Sequence, residues 1–235
     1  DARALARALE EALAQSPRIE MITGEHDTTE SRAIEEAGRR SDASWRGRAP
    51  TRRREPRFTG ALAKEQITFA RELHGAAIVD RALAAIAPED RDDIVTASAL
   101  SWIRIDAFAR FHDALARELG RDVEETHPEL VRGGSKRTFG TMWRLLLRVG
   151  GAKLVMTRAP VIYDKTYDTG VLETRNIADD GGQFVLGAWP DVPDFVLRGL
   201  RAGITLALEN VGRSGVSIVS QRTTDGAIFT ARWDR

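Results

Sequence analysis

The chain has 235 residues, of which 35 are basic and 35 acidic, so its formal charge is zero and no whole-chain field argues for nucleic acid or an anionic membrane as partner. Cysteine is absent, which excludes disulfides, thiol catalysis and thiolate metal sites and suits a reducing, cytoplasmic setting. With 42% hydrophobic and 30% charged residues the make-up is that of an ordinary soluble globular protein; no apolar run is long enough to span a bilayer and nothing at the start reads as a signal peptide. The chain opens on Asp1 instead of methionine and reads as either a processed chain or the numbered part of a longer one.

In chain order, Ala2–Gln15 sets Leu5, Leu9 and Leu13 four apart and stops at Ser16-Pro17, the pattern of a short helix. A weaker helical piece covers Thr29–Ala37. Gly38–Arg57 then collects arginine, serine, glycine and proline, including Arg52-Arg53-Arg54, and cannot bury enough surface to offset chain entropy. Residues 1–56 are therefore expected to be a helix plus an extended arm or linker, and 57–235 an α+β ligand- or partner-binding domain.

From Phe58 the pattern is helical, with Leu62, Phe69 and Leu73 on one face, followed by Ile78, Val79, Leu83 and Ile86. Pro88-Glu89-Asp90 opens another helix. Trp102–Ile105 is ambiguous between an extended piece and a turn. Asp106 reads as the cap of a helix over Ala107–Leu119 that carries Phe108, Phe111 and Leu115 and ends at Gly120. A connector, Arg121–Glu129, leads to a long segment from Leu130 to Val149. Gly150-Gly151 breaks it, and Lys153–Arg158 is a short helix closed by Pro160.

The last third alternates differently. Val171–Ile177 and Gln183–Trp189 form a hairpin across Ala178–Gly182, with the paired glycines supplying positive φ. Prolines 190 and 193 with Asp194 start a helix to Val211, whose Val196, Leu200, Ile204, Leu208 and Val211 make one buried stripe, and Gly212 ends it. A second hairpin, Val216–Gln221 and Ala227–Trp233, turns at Asp225-Gly226. The expected fold is α+β: a helical N-terminal half followed by a β-β-α-β-β antiparallel four-stranded sheet.

Among candidate sites, Trp102, Phe108, Phe111, Phe139, Trp143 and Trp189 are the aromatic residues expected to line any ligand pocket, against the plain alternative that they are core. Arg132, Lys136, Arg137, Arg144 and Arg148 make a locally basic stretch, 132–158, read as a docking surface for an acidic partner or nucleic acid, or else as a solvated helix side paired with carboxylates. Gly133-Gly134-Ser135-Lys136-Arg137-Thr138 lacks the spacing of a phosphate loop and reads as a flexible helix start. The histidines His26, His74, His112 and His127 are too dispersed for a metal site, so none is expected. No nucleophile elbow, paired-carboxylate motif or dinucleotide fingerprint appears, and no catalytic residue or cofactor is assigned.

Ala159-Pro160-Val161-Ile162-Tyr163-Asp164, Thr169-Gly170, Phe195-Val196-Leu197-Arg198-Gly199-Leu200 and Phe229-Thr230-Ala231-Arg232-Trp233 together resemble a paralogous myxobacterial family of unknown function. More broadly, the stretch Phe58–Arg235 is similar to the fold group of the vinyl-reductase-type ligand domain, the Bet-type subunits of the TRAPP tethering complex and the haem nitric-oxide-binding domain. The resemblance implies a space between helices and sheet for an acyl chain, haem or other apolar ligand, and dimerisation through helices. It does not carry over a zinc site, because the cysteines are missing. Nor does it carry over haem: no histidine follows Pro128, and Tyr163-Asp164-Lys165-Thr166-Tyr167 does not match the Tyr-x-Ser-x-Arg clamp of the haem members. The first expectation is thus a non-enzymatic assembly module, a homo-oligomer or a subunit of a protein complex. The alternative is a sensor holding a small hydrophobic ligand between helices and sheet; nucleic-acid binding through 132–158 is a weaker third.

Overall fold

The computed structural model describes residues 55–138 and 141–234, with the backbone alone for 138 and 141–150. The expected N-terminal helices and most of the linker lie outside the described residues, as do Phe139 and the side chains of Trp143, Arg144 and Arg148.

Arg57–Thr59 (β1) is a short strand, not the start of a helix. It pairs antiparallel with Trp102–Arg104 (β2), resolving the ambiguous segment as extended. Three-residue strands carry too few positions for alternation to register, and it is pairing that defines them. Helices follow at Gly60–His74 (α1), Ala76–Ala84 (α2) and Pro88–Val95 (α3), then Ile105–Leu119 (α4) after β2. Asp106 sits inside the first turn of α4 and not at its cap; its carboxylate accepts from the Ala107 amide at 2.8 Å.

Val123–Thr138 (α5) absorbs most of the expected connector, with Pro128 inside it. Gly133 and Gly134 are therefore well inside a helix and not at a flexible helix start. A Cβ on Gly133 would fall 2.1 Å from the Phe69 ring and one on Gly134 would fall 2.8 Å from Cγ of Gln66, so the pair lets α5 close on α1. This approach also sets the buried face of α1, which is Gly60, Ala63, Gln66 and Ala70, while Leu73 is 46% exposed. Thr141–Thr166 (α6) kinks at Gly151 (φ 60°, ψ −167°) and runs through Pro160 without stopping. Packing on the sheet outweighs the one hydrogen bond proline forfeits.

Val171–Ala178 (β3), Gly181–Gly187 (β4), Ser217–Arg222 (β5) and Ala227–Arg232 (β6) form one antiparallel sheet in the order β3-β4-β6-β5, with Asp194–Asn210 (α7) between the hairpins. The four-stranded expectation holds. The role of the paired glycines differs: neither Gly181 nor Gly182 has positive φ, which falls instead on Asn176. A Cβ on Gly181 would meet the Ala231 carbonyl at 2.7 Å and one on Gly182 would meet Met156, so these residues permit close approach of strand and helix.

Asp90 of α3 is 2% exposed and binds Arg104 of β2 at 2.7 Å and Arg110 of α4 at 2.5 Å, tying three elements together. Arg110 first, and Arg104 with it, holds the Asp90 carboxyl below the usual carboxylate range. A depressed folded pKa means stability present above the unfolded value and lost as pH falls through the folded one. Asp90→Asn should therefore cost about 2 kcal/mol at pH 7 in urea unfolding, an interval that narrows on acidification below about pH 4.

Candidate functional site

A cavity of about 230 Å³ lies between the helical layer and the sheet, its lining almost wholly apolar. It exceeds the roughly 150 Å³ of a protein cavity that admits benzene. Seven elements converge on it. Phe58 and Thr59 come from β1, Leu62 and Gln66 from α1, His127, Val131 and Ser135 from α5, Val155, Ala159, Ile162 and Tyr163 from α6, and Phe195, Gly199, Gly203 and Ala207 from α7, with Tyr167, Leu172 and Phe184 closing the sheet side.

The apolar stripe expected for α7 hides a second pattern. Gly199, Gly203 and Ala207 recur every four residues and all face the cavity. A Cβ on Gly203 would meet nothing within 4 Å, and one on Gly199 would lie 3.6 Å from His127 Nε2 and 3.8 Å from the Tyr167 hydroxyl. Glycine within a helix costs about 0.5–1 kcal/mol relative to alanine. Here no close contact requires it, in contrast to Gly133 and Gly134; the two glycines keep space open.

Three buried side chains in and behind this wall, Gln66, His127 and His112, carry polar atoms without a hydrogen-bond partner among the described residues. Gln66 is 2% exposed, and its Oε1 has no hydrogen-bond partner among the described residues. His127, also buried, leaves Nδ1 without one, and His112 leaves both ring nitrogens so. The two imidazoles, carried on α4 and α5, meet edge to face at 4.7 Å, and His127 lies flat against Phe195 at 4.0 Å with 7° between planes. Burial, with a contribution from Arg198, drives the His112 pKa down to about 3; burial, then His112 and Arg198, holds His127 well below 6.5. Both rings are neutral at physiological pH. Burial also raises Tyr163 and Tyr167, which stay protonated; Tyr163 donates to the Thr169 carbonyl at 2.6 Å.

The residues expected to line a pocket sit elsewhere. Phe108 and Phe111 are fully buried core and Trp189 is buried, while Trp102 is 39% exposed on β2; none of the four lines this cavity. Phe108 backs the wall through its contacts with Phe58 at 5.0 Å and Phe195 at 6.2 Å. On the basic stretch, Arg132 pairs with Glu209 at 2.6 Å and Arg137 with Glu65 at 3.0 Å and Glu72 at 2.7 Å, and Lys136 is exposed. Among the described residues no group of three or more potential metal ligands gathers. A polar depression of about 240 Å³ near α7 is lined by charges that largely compensate one another, Arg198 with Glu124 and Arg222 with Asp194.

This arrangement, helices stacked on a β-β-α-β-β sheet around an apolar cavity, has counterparts among solved structures. An Fe(II) unliganded H-NOX protein from K. algicida superposes with a TM-score of 0.59 at 10% identity, over 75% of this chain and 97% of that one. An oxygen-binding H-NOX domain related to soluble guanylate cyclases, in its oxygen complex, gives 0.55 at 14% identity over 75% and 95%. The fold is that of the H-NOX domains. No family model matches the chain and no curated protein matches it.

Two measurements check the site. Because a Cβ at 203 meets open space, Gly203→Ala should stabilise the protein by about 1 kcal/mol in urea unfolding, where a filled core would give a loss. His112 and His127 must gain protons on unfolding below their unfolded pKa of about 6.5, so stability should fall as pH drops from 7 to 5, by up to about 1.4 kcal/mol per pH unit for each ring, and His112→Phe should remove one ring's share.

Proposed function

We propose that residues 55–235 are a non-catalytic, sensor-type domain that holds a small apolar molecule between its helices and its sheet. The carrying observation is the cavity itself, kept open by glycines where a helix would otherwise place side chains. The H-NOX likeness supports this reading above that of an assembly module of the TRAPP Bet type.

The ligand is not read across from the neighbours, which include H-NOX proteins studied for heme distortion. Haem carries two propionates, and among the described residues no lysine or arginine lines the cavity to meet them. The part of α6 whose side chains are described presents Val155, Ala159, Ile162, Tyr163 and Thr166 to the cavity, with no histidine. The imidazole that reaches it, His127, comes from α5 and is stacked on Phe195. The described lining does not fit haem.

Taken through gentle purification, the full chain should release a small molecule on denaturation, detected by mass spectrometry, and the emptied protein should take up xenon, seen by 129Xe NMR. Gly203→Leu should abolish both. Wild-type protein that releases nothing and shows the same xenon response as Gly203→Leu would refute the reading.

A further inference from the structure

The polar groups of the cavity are not gathered at one place. His127 Nε2 and the Tyr167 hydroxyl both lie within 4 Å of the point where a Gly199 Cβ would stand, so they converge on the gap that glycine leaves. Gln66 packs instead against Gly134, seven residues further along the helix that carries His127. At 1.5 Å per residue the two polar spots are about 10 Å apart, or two helical turns. Val131 is the residue of α5 between these two positions that lines the cavity.

The Gln66 carboxamide oxygen, buried without a partner, is costly unless something in the cavity satisfies it, and at the Gly199 gap His127 Nε2 and the Tyr167 hydroxyl offer polar atoms to a guest. The partner must be uncharged. Among the described residues no cation lines the cavity to compensate a carboxylate or phosphate, and no carboxylate lines it to compensate an amine; His127 itself is held neutral by burial. Aromatic walls at Phe58, Tyr163, Phe184 and Phe195 suit a flat guest.

We propose that the cavity takes an uncharged, elongated apolar molecule with a hydrogen-bonding group at each end, one held by His127 and Tyr167 in the gap at Gly199, the other by the Gln66 carboxamide about 10 Å away. This deepens the sensor reading and rests on it. The polar ends fix orientation, and the glycine face of α7 provides the thickness.

Calorimetry on the full chain, emptied of any co-purified molecule, tests this with four probes at pH 7.5: 4,4′-dihydroxybiphenyl, 4-hydroxybiphenyl, biphenyl and biphenyl-4,4′-dicarboxylate. The dihydroxy compound should bind tightest, each hydroxyl adding about tenfold, with the dicarboxylate about a hundredfold weaker. Gln66→Leu should reduce the dihydroxy compound to the level of the monohydroxy one while leaving biphenyl unchanged. His127→Phe should do the same, and Gln66→Leu stands alone if His127→Phe fails to fold by circular dichroism. Equal affinities for biphenyl and its dihydroxy derivative, or a dicarboxylate that binds as well, would overturn the inference. So would no binding of any probe. Xenon uptake reports the cavity independently: uptake with no hydroxyl preference sinks the polar-end assignment alone, whereas no uptake sinks the sensor reading beneath it.

Discussion

The helix α7 has to satisfy two unlike neighbours along one length of chain. Val196 and Leu208 are buried in the common core with Phe184 and Phe229 of the sheet, while the line of Gly199, Gly203 and Ala207 faces the cavity. A helix that presented large side chains in every direction would fill the domain solid. One that was small all round would not hold the sheet. The combination lets a firmly packed element serve as the wall of a void, since the stabilising burial and the missing volume sit on different faces of the same cylinder.

Polar groups are distributed by the same logic. Where a buried charge is required for cohesion, as at Asp90, two guanidiniums meet it directly. Around the cavity, the buried polar atoms of Gln66 and His127 lack such partners. Unsatisfied atoms inside protein are costly, and two of them belong to residues of the cavity wall. His112 contributes indirectly: its edge against His127 and Phe195 fixes how those rings stand at the cavity wall.

Much of the fold was legible. The strand pairs, the interhelical break at Gly151 and the helix started by Pro193 each follow from short-range signals. What escaped depends on long-range packing. Pro128 and Pro160 lie inside helices because tertiary contacts outweigh a local breaker, and Gly133-Gly134 reads as a flexible helix start until Phe69 and Gln66 are seen pressing on it. The cavity lining was missed because aromatic residues at helical spacing, such as Phe108 and Phe111, go to the core, whereas the wall draws single residues from elements far apart in the chain. Two signals were available: glycines four apart inside an apolar helix, and a glutamine at an inward position of α1. The imidazole contact was not, since fifteen residues and a helix boundary separate His112 from His127.

Arg57 is fastened at both of its backbone groups to Asp168, two residues past the end of α6: its amide donates to the Asp168 carboxylate at 2.8 Å and its carbonyl accepts from the Asp168 amide at 3.1 Å, with Phe58 bridged to Tyr167 alongside. Phe58, Thr59 and Tyr167 belong to the cavity wall. With the Pro56 carbonyl also accepting from the Ile105 amide at 3.0 Å, the strand that opens the domain is pinned on one side to α4 and on the other to the cavity wall. The rim of the chamber and the strap that enters the domain form a single mechanical joint.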